Sequence, residues 1–233
     1  MKEAMNTALR QPGVRPAEGG RWPLWGIGAV LLLMSRLLYP TPSLSPQDQT
    51  VVTGKLVDIL ADKTTNLYFA TGVSWLGIAC LVVFLAGLYR RLKASEPADG
   101  LIPTVVLGGG LMTTAGLFVG YGFGALAGGS AYEQRAATTV AALYAIMDSF
   151  AYLMWTGLGV VTAGVAVASI RRGSLPRWLG WMSAIFTLIF VGLAFLPFIS
   201  WFPALVWLLV VSIGLLVSER HTASQEPEPV PGG

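Results

Sequence analysis

Six stretches of nearly unbroken apolar sequence constrain this chain more than any other feature: residues 22–39, 67–89, 101–127, 140–169, 178–196 and 201–217. Each reaches or approaches the ~20 residues, at ~1.5 Å rise, that a helix needs to cross ~30 Å of hydrocarbon. In lipid a backbone N–H or C=O must find its partner inside its own segment, so runs of this length are expected as helices. The expected fold is all-α: a polytopic transmembrane helical bundle of about six spans over residues 21–218, between disordered cytoplasmic tails at 1–20 and 219–233. Only 12% of the residues are charged, against about 25% in soluble domains. The short polar segments between the runs leave no room for a soluble domain.

The charges are few, and their placement gives an orientation. Lys2, Arg10, Arg15 and Arg21 precede the first run, Arg90, Arg91 and Lys93 follow the second, Arg171, Arg172 and Arg177 follow the fourth, and Arg220 follows the sixth. The alternate loops hold only Lys55, Lys63 and Arg135. Lys and Arg resist translocation, so the richer side is expected in the cytoplasm, with both termini there and the chain in the plasma membrane. These basic residues are short clusters beside apolar runs, which fits membrane lipids as partners and not nucleic acid. Cys80 is the only cysteine, so no internal disulfide can form. The first run exceeds a usual signal-peptide core and ends at Tyr39-Pro40-Thr41-Pro42-Ser43 without a small-x-small site, so it is expected to be retained.

Along the chain, Trp22 and Trp25 fall where indoles settle at the inner interface, and Tyr39 falls at the outer one. The first outer connection, residues 40–66, contains Ser45-Pro46-Gln47-Asp48, a plausible serine-capped helix start. Val52, Leu56, Ile59 and Leu60 follow at helical spacing, which predicts a short amphipathic helix capping the bundle or resting on the membrane surface. Gly116, Gly120, Gly124 and Gly128 recur every fourth residue in the third run. Overlapping G-x-x-x-G steps line one helix face for close approach by another helix, from the same chain or a second copy. Gly108-Gly109-Gly110 is not a phosphate loop, because no strand precedes it and no Gly-Lys-Ser/Thr follows.

Two charged residues lie within apolar runs, Arg36 in the first and Asp148 in the fourth. Charges in the bilayer core are costly, face the protein interior and find partners. Both fall in the outer half at comparable depth, so they are expected to pair directly or through water. Tyr144 and Tyr152, at i−4 and i+4 from Asp148, place a phenol one turn above and one below the carboxylate. Such a cluster either fixes helix register or lines a ligand, ion or proton site. The single histidine, His221, lies in the C-terminal tail, so histidine-ligated haem, an intramembrane zinc site and a Ser–His dyad lack their residues. One intramembrane carboxylate cannot form an aspartyl-protease pair, and no lysine is available for a retinal Schiff base. No cofactor, no metal and no enzymatic activity are expected.

Three segments carry a family likeness: Asp62-Lys63-Thr64-Thr65-Asn66, Leu88-Tyr89-Arg90-Arg91-Leu92, and Arg171-Arg172-Gly173-Ser174-Leu175-Pro176-Arg177-Trp178-Leu179-Gly180-Trp181. From about Leu60 to Val217 the chain resembles the small multi-pass membrane proteins of unknown function common in high-GC bacteria. The resemblance implies a bacterial plasma membrane and about six helices, and it supplies no functional residue. The expected function is that of a non-enzymatic integral membrane protein acting by association, with a membrane partner protein or with itself as a homo-oligomer through the glycine-lined face. The alternative is a small transporter or ligand-binding protein with an outward-facing polar pocket around Arg36, Tyr144, Asp148 and Tyr152.

Overall fold

The computed structural model describes residues 21–34, 58, 60–62, 64–97, 99–133, 136–193 and 201–223, without the side chains of 64, 132, 144, 148–155, 193, 201 and 219–223. Among the described residues the fold is all-helical. Six helices follow the six apolar runs: α1 (Trp22–Leu33), α2 (Thr64–Ala94), α3 (Ile102–Tyr132), α4 (Ala137–Arg172), α5 (Arg177–Leu193) and α6 (Trp201–Ala223). Nearly all of the expected amphipathic helix (residues 45–57 and 59), and both tails up to residue 20 and beyond 223, lie outside the described residues. The end of that connection is described: Leu60 is fully buried beside Leu33, Leu67, Ala127 and Ala131.

Local chemistry sets the ends. Pro23 and Pro103 occupy first-turn positions of α1 and α3, where a missing N–H costs nothing. Basic side chains sit in the last turns of α2 (Arg91, Lys93) and α4 (Arg171, Arg172), against the negative end of each helix dipole. Gly173 stops α4 in a left-handed conformation, φ 64°, a region that side-chain-bearing residues enter at a cost. Its N–H bonds the Ser169 carbonyl at 3.2 Å. Inside the helices Thr71, Ser74, Thr113, Ser169 and Ser212 each return their hydroxyl to the carbonyl four residues back. A hydroxyl satisfied in this way can be buried without an external partner.

Neighbouring helices run antiparallel and close into a ring. Trp22 at the start of α1 packs over Gly87 and lies 5.6 Å from the ring of Phe84, both late in α2. Leu67, early in α2, meets Gly128, late in α3, and Ile102 and Val106, early in α3, meet Gly164, late in α4. Gly180 at the start of α5 sits against Ser169 and Ile170 of α4, and Trp178 and Leu179 sit against Gly214, late in α6. Gly26 of α1 closes the circuit on Ser212 of α6. Arg21, Arg90, Arg91, Lys93, Arg171, Arg172 and Arg177 thereby gather at one end of the bundle. Asp58, Asp62 and Glu133 stand at the other.

The interior divides into two layers. The half nearer the basic end is filled by Phe84, Leu88, Leu92, Val106, Val161, Leu179, Phe186, Trp207 and Leu215, among others. The opposite half centres on Leu60, Leu67, Ala70, Tyr121, Ala127, Val140 and Met147. Apolar side chains also cover the outside of every helix, for example Leu31, Phe69, Leu76, Leu111, Phe118, Val167, Leu188 and Ile213. Two helical stretches, Thr65–Ala94 and Ile102–Ala131, are long and apolar enough to cross a membrane. The apolar stretches Trp22–Leu33, Arg177–Gly192 and Phe202–Ser218 are shorter.

Candidate functional site

Two of the expected clusters fare differently. Arg36 lies outside the described residues. Tyr144, Asp148 and Tyr152 fall on α4 by their backbone, and their side chains lie outside the described residues, so the expected pair has no described geometry. The glycine face is described. Gly116, Gly120, Gly124 and Gly128 are all buried within this chain, and a methyl group on Gly128 would run into Leu67 of α2. This face is turned inward in the single chain. Association through it, as expected for a homo-oligomer, has no exposed glycine surface to use.

The same face continues toward the basic end through Thr113 to Gly109, and there α3 and α4 come closest. A Cβ on Gly109 would lie 2.7 Å from the Gly157 carbonyl oxygen, and a Cβ on Gly157 would lie 2.6 Å from the Gly109 carbonyl oxygen and 2.8 Å from the Thr113 nitrogen. Real Cβ atoms do not approach backbone so closely, so only glycine fits at either position. Gly108, one residue away, has open space around it. The triplet 108–110 is thus a helix crossing in its second residue, a role that the sequence pattern did not reveal. Gly157 carried no signal of its own, because it shares α4 with Gly159 and Gly164 and no spacing marks which of the three meets another helix.

Polar contacts tie α4, α5 and α6 together. The Thr187 and Thr162 hydroxyls lie 2.9 Å apart, and Thr187 is also 2.8 Å from the Ser183 carbonyl. The Trp207 indole, almost fully buried, donates Nε1–H to Ser183 Oγ at 3.1 Å. These bonds fix the rotation of one helix against the next.

The charged feature with described geometry lies at the basic end. Arg172 Nη1 is 2.8 Å from Glu96 Oε1, joining the α2–α3 connection to the end of α4. The Glu96 side chain is fully enclosed while Arg172 is 36% exposed, so the carboxylate is the partner that depends on the pair. Gly100 lies directly against that carboxylate, where a side chain would collide with it. Neither Glu96 oxygen, nor the hydroxyl of Ser174 in the next connection, has an aligned hydrogen bond among the described residues. The pair is therefore held by charge more than by directed hydrogen bonding. In sequence Glu96-Pro97-Ala98-Asp99-Gly100 reads only as a turn. The detectable signal was an acid placed among seven basic residues, with a glycine four positions on.

Around this pair Arg91 is half-buried and the other described cations are exposed. Arg90, Lys93, Arg171 and Arg177 reach solvent, as do Trp178 and Trp181 on the first turns of α5. Among the described residues no three His, Cys, Asp or Glu side chains come together as a metal site needs. No family model, curated protein or solved structure matches the chain.

Proposed function

We propose that this chain is a non-enzymatic, multi-pass integral membrane protein of a bacterial plasma membrane, acting by association within the bilayer, with its basic end and both termini in the cytoplasm. One observation carries the reading: large apolar side chains are exposed on all six helices, while the arginines collect at one end of the antiparallel ring. Isolated soluble proteins rarely expose apolar patches beyond a few hundred Å². A belt that encircles the bundle is what lipid solvates, and arginine crowded on one side is what translocation leaves behind. The likeness to small multi-pass proteins of high-GC bacteria agrees with this reading. Because the glycine face is occupied by its own chain, association uses the outer belt and the basic end.

The test is extraction and labelling. In membranes from an expressing strain, the full chain is expected to resist alkaline carbonate and to need detergent for release. Single cysteines placed at Arg90 and Arg171 should react with an impermeant maleimide only after the cells are opened, and one at Glu133 should react in intact cells. Release without detergent, or labelling of positions 90 and 171 from outside, would falsify the proposal.

A second reading, an outward-facing pocket around Arg36, Tyr144, Asp148 and Tyr152, draws support from the filled basic half of the core. Phe84, Phe186, Phe190 and Trp207 block that half, so a pocket beside Asp148 opens only toward the opposite face. Asp148→Asn separates the readings. Lost phenotype at normal membrane abundance favours the pocket, and lost abundance favours a packing role.

A further inference from the structure

We infer that the exposed face of α5, together with the end of α4, binds the headgroup of an anionic phospholipid in the cytoplasmic leaflet, with Arg171 and Arg177 taking the phosphate. The inference rests on the membrane reading above and adds the site and the lipid class. Arg177, Trp181, Ile185 and Leu188 follow one another at i, i+4, i+8 and i+11, which places them along one stripe of the helix. All four are exposed: Trp181 is 63%, Ile185 54% and Leu188 74% accessible. From the basic end inward the stripe reads guanidinium, indole, aliphatic, aliphatic. At ~1.5 Å per residue the indole lies about 6 Å below the guanidinium and Leu188 about 10 Å below the indole. That order matches the profile of one phospholipid leaflet: phosphate, then the carbonyl region that indoles favour, then acyl chain.

A second guanidinium is supplied across a short, stiff turn. Gly173 in its left-handed conformation and Pro176 hold the connection between α4 and α5, and Gly180 packs directly on Ser169 and Ile170. Leu175 plugs the turn into the core at 3% exposure. Arg171 and Arg177 therefore flank a fixed corner instead of a floppy loop. Arg172, between them in sequence, is turned to the enclosed Glu96. Neither Arg171 nor Arg177 has an ion pair among the described residues, so both are open to an external anion. A phosphodiester presents two unesterified oxygens, one for each guanidinium group. Zwitterionic lipid lacks the net charge to compete as well, and polybasic sites beside spans discriminate on that ground.

The full chain, purified in detergent, is tested by thermal unfolding with phosphatidylglycerol, phosphatidylcholine or inorganic phosphate at matched phosphorus. Phosphatidylglycerol is expected to raise the Tm by several degrees more than phosphatidylcholine, and inorganic phosphate to leave it unchanged. The double variant R171Q/R177Q is expected to lose more than half of that difference, R171K/R177K to keep most of it, and K93Q to keep all of it. An equal shift from both lipids, an equal shift from inorganic phosphate, or a full shift in R171Q/R177Q overturns the inference. Should the glutamine variant fail to fold, lipid co-purified with the unaltered chain decides. Anionic lipid enriched at least threefold over its share in the source membrane supports the site, and its bulk proportion refutes it. A chain that stays monomeric without detergent removes the membrane reading itself. A chain that needs detergent but ignores lipid charge removes only this inference.

Discussion

At the scale of single residues, the chain is governed by where a side chain is forbidden. Gly109 and Gly157 face each other's backbone across α3 and α4, so an added methyl group meets atoms that cannot rotate away. Gly109→Ala or Gly157→Ala is expected to cost at least the ~1–3 kcal/mol typical of an overpacked core. Gly108→Ala, in open space, should be neutral or stabilise by up to about 1 kcal/mol through helix propensity. Thermal unfolding of the three variants in one detergent checks the contrast, and equal losses would mean that α3 and α4 do not cross there. The Glu96–Arg172 pair makes a second prediction with an asymmetry. Arg172→Gln strands an enclosed carboxylate, whereas Glu96→Gln strands a guanidinium that already reaches water. Removing the arginine should therefore cost more, about 1–3 kcal/mol, and the double variant should cost less than the sum of the two. Additive losses would show that the two side chains are not coupled. The sequence reading found neither feature. Helical spacing reports which residues share a face, but the identity of what that face meets depends on another segment far along the chain.

Among elements, the six helices were readable because hydropathy is a local property and each helix carries a long apolar run. Their ends were less so. α2 runs from Thr64 to Ala94 and α4 from Ala137 to Arg172, beyond the apolar limits at 67–89 and 140–169, because helical hydrogen bonding does not stop where hydrophobicity does. The glycine repeat of α3 was legible as a close-packing face. Its partner was not: Gly116, Gly120, Gly124 and Gly128 are buried inside the single chain, and Gly128 meets Leu67 of α2. The hydroxyl bonds between α4, α5 and α6 were also invisible, since serine and threonine in apolar helices look alike whether they bond their own backbone or a neighbour. Trp207→Phe and Ser183→Ala should each destabilise the protein, and a double-mutant cycle should return a coupling of about 0.6 kcal/mol, the average for hydrogen bonds between membrane helices, and no more than about 1.7 kcal/mol. A coupling near zero would place the indole N–H elsewhere.

For the whole molecule, the basic half of the bundle is sealed by its own side chains, and Cys80 lies in that layer at 7% exposure. Its thiol should therefore ignore maleimide in the folded protein and react only as the bundle comes apart. The labelling rate plotted against temperature is expected to rise together with the unfolding transition. Early reaction would mean that α2 opens locally while the rest stays folded. The seam between α1 and α6 has a consequence for biosynthesis. Gly26 seats on Ser212 and Phe84, so the helix that leaves the ribosome first among these six acquires half of its neighbours only when the last one arrives. Until then α1 keeps that notch uncovered, and a chain halted before Ser212 leaves it bare.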